Sequence, residues 1–236
     1  LIDARVLIVG VGGLGVPAAW ALARSGVRRL TLVDPDPVEL SNLPRQVIYR
    51  DADLGQPKVD TAARRLHAMF GGMEIERHAA SFDSANARAL ARGHSVIIDA
   101  TDDPAAKFLI NDTAVALGRP FVYGGVLATA GQAMTVVPGR GACLRCLFEA
   151  PPAADEIATC REAGIVGPIA GMIGEVQAAE ALILLRGGVP MLTSRILTCD
   201  ASAGMRIRVT DVAARAGCDC GAGRAAASAA DAPPFR

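Results

Sequence analysis

The hydrophobic positions of this chain change period several times, and each change marks an element. Val6 to Val9 is an uninterrupted apolar run of strand length, the pattern of a strand buried on both faces. It breaks into a glycine-rich turn, after which Leu14 to Arg24 reads as a helix and Leu30 to Val33 as the next strand. A polar, proline-rich stretch leads to Gln56-Pro57-Lys58, where a proline suited to the first turn opens a helix to about Phe70. Ile75 is a weak strand signal, Ala85 to Ala91 a short helix, and Val96 to Ile98 a buried strand that ends in Asp99-Ala-Thr-Asp-Asp103. Pro104 begins a helix reaching Gly118, and Pro120 to Tyr123 gives a short strand before Gly124-Gly125. This alternation predicts a parallel sheet covered by helices, with ligands gathered at the carboxyl ends of the strands.

The second half has a different pattern. Gln132 to Val137 alternates polar and apolar and predicts a strand continuing the sheet, antiparallel to it. Pro151 to Gly167 has no periodicity and is expected to cross the site as a long loop or a lid. From Ile169 to Leu185 the spacing is helical, and Ile169, Met172, Ile173, Val176 and Leu184 are explained by core packing or a dimer contact. Arg195 to Cys199 and Met205 to Val209 predict two closing antiparallel strands. One domain over residues 1–221 is expected, with a disordered Ala/Ser/Pro tail over 222–236.

Composition narrows the function classes. The 236 residues carry 24 basic and 24 acidic side chains, a balance that offers no surface for a polyanion, so nucleic acid is not an expected partner. No uninterrupted apolar run approaches the roughly eighteen residues of a membrane span. We therefore expect a soluble, cytoplasmic protein with no membrane partner. Six cysteines are too sparse for a disulfide scaffold, and four of them fall in two close pairs, which points to metal. Only two of the basic residues are lysines, Lys58 and Lys107, so each invites a reason for its place.

The first strand breaks at GVGGLG, with Gly10, Gly12 and Gly15 at the spacing of a nucleotide-binding turn. The first glycine permits the bend, the second lets phosphate reach backbone N–H groups, and the third lets the helix pack on the strand. Asp34 ends the second strand, about twenty residues on, where a carboxylate can take hydrogen bonds from ribose. The fold class that follows is α/β: a Rossmann-like nucleotide-binding fold whose sheet is parallel in its N-terminal half and antiparallel in its C-terminal strands. Just beyond Asp34, the segment Ser41 to Gln46 and Lys58 supply an amide and two cations that suit a triphosphate. Arg45 can clamp phosphate oxygens in a planar fork and Lys58 acts as a compact charge, although both types also occur as solvated surface charges. Asp99 and Asp102 stand at a strand end, where a carboxylate can hold Mg²⁺; for Asp99 the alternative is a turn or helix-capping acid. Cys143-Leu-Arg-Cys146 and Cys218-Asp-Cys220 can supply four thiolates to a tetrahedral structural zinc. Cys199 reads as a small buried hydrophobe, and His67, His78 and His94 as surface or packing residues. Cys160 lies alone beside Arg161, where thiolate character is favoured, and is either reactive or an inert loop residue.

Taken in order, GVGGLG, VDPDPVELSNLPRQ, GQPK, DATDD, CLRC, ATCREAG and the late cysteine pair resemble the ThiF/MoeB/HesA enzymes, bacterial relatives of ubiquitin-activating enzymes. The likeness runs from Arg5 to about Gly221. It implies that Gly13 and its neighbours lie under ATP, that Asp34 holds the ribose, that Asn42, Arg45 and Lys58 hold the phosphates with Gln46 also in the nucleotide site, and that Asp102 holds the magnesium. It implies adenylation of the C-terminal glycine of a ubiquitin-like sulfur-carrier protein ending in Gly-Gly, by a homodimer. Cys160 matches a position where several relatives form a covalent link to the activated carrier.

Three departures accompany the resemblance. The family's upstream helix, whose arginine reaches the ATP of the opposite subunit, is not found in residues 1–236, which is expected to mean either that it was removed or that the chain is catalytically impaired, and Asp103 stands where the family often has asparagine. The Cys218 to Cys220 spacing is one residue tighter than usual. A separate sulfur donor is expected, since no rhodanese-like domain is seen in residues 1–236. Competing readings are activation of a tRNA or small-molecule carboxylate, an NAD-binding dehydrogenase, which leaves Arg45, Lys58 and the cysteine pairs unexplained, and a non-catalytic nucleotide-binding relative.

Overall fold

The computed structural model describes residues 1–152, 164–202 and 204–220. Its frame is an eight-stranded sheet in the order β3-β2-β1-β4-β5-β6-β7-β8. The first five strands are β1 (Arg5–Val9), β2 (Arg29–Val33), β3 (Glu74–His78), β4 (Val96–Asp99) and β5 (Phe121–Leu127), all paired in parallel. β6 (Ala130–Val136), β7 (Arg195–Asp200) and β8 (Arg206–Asp211) continue it antiparallel, as the change of pattern predicts. The order reverses at β1, which sits between β2 and β4, so a crevice opens beyond the carboxyl end of β1.

Helices cover both faces. On one side α1 (Gly15–Arg24) and α2 (Lys58–Met69) pack with the 19-residue helix that precedes β7, and their apolar faces share one core with Val6, Ile8, Leu30, Leu32, Val96 and Ile98. On the other, α3 (Ala87–Ala91), α4 (Pro104–Ala116) and the single turn α5 (Leu144–Leu147) pack on Leu7, Val9, Ile97, Phe121 and Met134. Alternate residues of one strand therefore serve two cores, which is why β1 and β4 read as unbroken apolar runs.

The long helix, α6 (Gly167–Leu185), is by length and composition the one described helix able to cross a membrane. Its polar residues show it to be a core helix of this fold. Buried Gln177 donates to the carbonyl oxygens of Asp99 (2.6 Å) and Val122 (3.0 Å), tying α6 to the ends of β4 and β5. Buried Glu180 accepts from Thr135 Oγ1, Met191 N and Leu192 N, which anchors β6 and the approach to β7. At Gly174 a Cβ would lie 2.4 Å from the Leu14 carbonyl oxygen, so only glycine lets α1 and α6 come this close.

The structure departs from expectation in three places. β5 does not stop at Tyr123 but continues through both glycines to Leu127. Gly124 is required there because a Cβ would lie 2.5 Å from the Gln177 amide, and that demand comes from α6 rather than from a turn. β8 begins at Arg206 because Met205 has φ 54°, a left-handed turn conformation outside the strand. α5 is too short to show a helical period in the sequence. The lid expectation falls mostly outside the described residues, although its end, Gly164 to Val166, is bonded on both sides of Ala128 at the β5–β6 turn. The tail 222–236 also lies outside them.

Gln177→Leu should lower stability by about 1–3 kcal/mol, because two buried carbonyls lose their donor. Urea unfolding monitored by circular dichroism checks this, and an unchanged midpoint would show that the bonds contribute nothing.

Candidate active site

A cleft of about 1350 Å³ opens beyond the parallel strands. Gly10, Gly12 and Gly13 form its floor, Asp34 and Asp36 follow β2, Asn42, Arg45, Gln46 and Lys58 line one flank, and Asp102, Asp103 and Lys107 line another. The glycine turn is held tightly. Gly10 has φ 91°, and a Cβ on it would lie 2.5 Å from the Ala100 carbonyl oxygen, so both its conformation and its neighbour exclude other residues. Gly15 has a different role from the other three: it is buried behind the turn, a Cβ there would collide with the Gly10 carbonyl, and it does not line the cleft.

Asp34 is buried and accepts from Val11 N at 2.7 Å and Asp36 N at 2.9 Å, so its carboxylate braces the turn from the end of β2. Burial pushes its carboxyl above the usual value, while the Lys58 ammonium and the two N–H groups pull it back. Lys58 opens α2, with Nζ 2.8 Å from Asp36 Oδ2 and 3.7 Å from Asp34 Oδ1. Sequence reasoning did not find Asp36 as its partner; the bridge between Pro37 and Pro57 brings the two segments together. Asn42 closes a single 3-10 turn over Leu40–Asn42 and accepts from Glu39 N. Arg45 donates to the Ser41 carbonyl at 2.8 Å, and its stem lies beside Gly13. Gln46 is buried against Gly12, and its Oε1 has no hydrogen-bond partner among the described residues.

On the opposite flank the strand-end acids divide their roles. Asp99 is fully buried, accepts from Thr101 N and Oγ1, and faces Lys107 at 3.2 Å, so it is a turn acid and ion-pair partner and not a capping residue. Asp103 is the N-cap of α4 and accepts from Ala105 N at 2.9 Å. Asparagine caps as well as aspartate, so this difference from the family pattern preserves the helix start. Asp102 is exposed at the cleft and is the acid of this turn best placed to meet a cation. The far wall includes Tyr123, Gln132, Arg206 and Arg208, none of which stood out in the sequence. Cys160 lies outside the described residues.

The thiols of Cys143, Cys146, Cys218 and Cys220 all lie within 4.8 Å of one another, so the tight C-x-C pair does reach the C-x-x-C pair. Four sulfur donors in one cluster suit zinc. Burial pushes the Cys143 thiol up to about 11, whereas the Arg215 and Cys143 backbones help bring Cys146, against its burial, down to about 7. A divalent cation would relieve this crowding of thiolates. Cys199 is buried in β7, as expected of a small hydrophobe. His94 is buried and bonded to Thr31, and burial lowers its pKa.

The chain is 41% identical over 198 residues to "Adenylyltransferase and sulfurtransferase MOCS3" of Anopheles gambiae, which covers 84% of this chain and 45% of that protein. It is 39% identical over 203 residues to "Sulfur carrier protein adenylyltransferase" of Thermus thermophilus, covering 84% of this chain and 75% of that one. The chain thus spans less than half the length of the MOCS3 relative. In fold it superposes on Escherichia coli MccB crystallised with ATP, with a TM-score of 0.83 at 19% identity, over 94% of this chain and 68% of the other. The sequence profile of the ThiF family matches residues 1–222. The chain belongs to the ThiF family.

Proposed function

We propose that this protein uses ATP to adenylate the C-terminal glycine carboxylate of a ubiquitin-like sulfur-carrier protein. The observation that carries the reading is the union, in one cleft, of a glycine turn, a braced ribose-end acid and two cations on the phosphate side, facing an exposed acid across the floor. A dinucleotide needs the first two features but not Arg45 and Lys58 together. The names of the relatives in Anopheles and Thermus support the same activity.

In this reading Asp34 receives the ribose hydroxyls, and backbone N–H groups at Gly12 and Gly13, with the start of α1, face the phosphates. Asn42, Arg45, Gln46 and Lys58 hold the outer phosphates. A magnesium ion, when bound, would neutralise phosphate charge with Asp102 as its ligand from this chain. The carrier carboxylate, already ionised, attacks the α-phosphorus; a new C–O–P bond forms, the bond to the β-phosphate oxygen breaks, and pyrophosphate leaves with its electron pair. No general base is needed. Catalysis comes from positioning two anions together and offsetting their charge, which Arg45 and Lys58 are suited to do. The exposed side chains of Leu40 and Val47, on either side of Asn42 and Arg45, favour a homodimer that covers this edge.

Arg45→Ala and Lys58→Ala should each slow pyrophosphate release by about 10²-fold, the usual scale for losing one charge-stabilising donor, with the fold intact. A carrier-dependent release assay near the wild-type rate in both variants would remove them from the site. One zinc per chain should accompany the native protein, and stripping it should loosen Arg215 to Cys220 before the cleft. Elemental analysis without zinc, with all four thiols open to alkylation, would contradict that assignment.

A further inference from the structure

Lys107 is one of two lysines in the chain, and the two differ in what their ammonium groups can do. Its Nζ lies 3.2 Å from each Asp99 carboxylate oxygen and 2.5 Å from the Gly124 carbonyl, with the Tyr123 ring centroid 5.0 Å away. An ammonium has three N–H donors, and Asp99 and Gly124 use them. Lys107 therefore lines the cleft with no donor left for a phosphate, in contrast to Lys58, whose partner Asp36 is half exposed.

What Lys107 holds is the turn that carries Asp102. Asp99 and Asp102 are three residues apart, and the Asp99 carboxylate already folds the turn through Thr101 N and Oγ1. At the other end Asp103 caps α4, and Lys107 follows one helical turn later, its N–H bonded to the Asp103 carbonyl. The side-chain bridge from Lys107 back to Asp99 thus closes a ring around Asp102, and the bond to Gly124 fixes that ring to β5, the strand beside β4. Ala100 N, itself buried, bonds to the Val9 carbonyl, and Gln177 donates to the Asp99 carbonyl, so the start of the turn is held by the core while Asp102 is exposed. Burying this charged pair costs desolvation that a neutral pair would avoid, so stability alone does not call for it.

We propose that Lys107 is a positioning residue for adenylation, setting Asp102 through Asp99 and fixing the turn to the neighbouring strand β5 through Gly124. The proposal rests on the reading of the cleft given above. Its test uses the full chain with Lys107→Arg and the charge-free double variant Asp99→Asn/Lys107→Met. Unfolding, amide hydrogen exchange, and pyrophosphate exchange into ATP at varied magnesium are compared. The double variant should unfold near the wild-type midpoint. Its Thr101 to Asp103 amides should exchange about tenfold faster, its half-saturating magnesium should rise about tenfold, and kcat should fall with KM for ATP little changed. Wild-type amide exchange together with a wild-type magnesium midpoint would overturn the proposal. Should the double variant fail to fold, Lys107→Arg decides: a planar fork cannot serve Asp99 and Gly124 in the same geometry, so the same shifts at about threefold are expected, and none would overturn it. If the wild-type protein shows no magnesium-dependent use of ATP, the proposed function fails, while amide exchange still decides whether Lys107 pins the turn.

Discussion

The close approach of three backbones at the end of β1 is the constraint on which the rest of the molecule depends. Gly10 lies against the Ala100 carbonyl, Gly15 lies against Gly10, and Asp34 reaches over to bond Val11 N. Tyr49 adds a hydrogen bond from its hydroxyl to the Val11 carbonyl at 2.7 Å. Neither glycine can gain a side chain without pushing β1 away from β4 or α1 away from β1. Because those contacts are made, the ends of β1, β2 and β4 meet, and Asp34, Asp102 and the phosphate-side cations share one cleft.

α6 supports that junction from below. It sends Gln177 to the terminal carbonyls of β4 and β5 and Glu180 to β6 and the approach to β7, and it touches α1 at Gly174. The parallel and antiparallel halves of the sheet are thereby fixed by one helix, whose Gln177 Nε2 and Glu180 carboxylate are buried with partners on β4, β5, β6 and the approach to β7. The cysteine cluster lies on the opposite core, where Cys143, Leu144 and Cys220 pack with Phe108 and Ile110 of α4. A metal there would secure the last described residues to the face of the sheet that carries α4, and so bear on the cleft only through that helix.

Strand and helix order was legible because β1 and β4 are apolar on both faces and the glycine spacing is rigidly tied to its geometry. The change to antiparallel pairing was legible in the alternation of β6. What the sequence hid was set by partners distant along the chain. Gly124 looks like a turn residue until Gln177 is placed beside it. Asp99 looks as able to bind a metal as Asp102 until Lys107 occupies it, and the scarcity of lysine was the only signal that Lys107 had a task. Gly15 belonged to the same motif as Gly10 yet serves packing rather than the ligand, a distinction that motif spacing does not carry. Arg206 and Arg208 went unremarked because an exposed edge strand with alternating charge reads as a solvated surface.

In the proposed function this cleft joins a protein carboxylate to the α-phosphate of ATP. Labelled pyrophosphate exchange into ATP, measured with a carrier protein ending in Gly-Gly and with the same carrier lacking those two residues, tests it most directly. Exchange that needs magnesium and the intact glycine terminus is the predicted result. Exchange indifferent to the terminus, or its absence alongside tight binding of NAD, would contradict adenylation of a carrier carboxylate in this cleft.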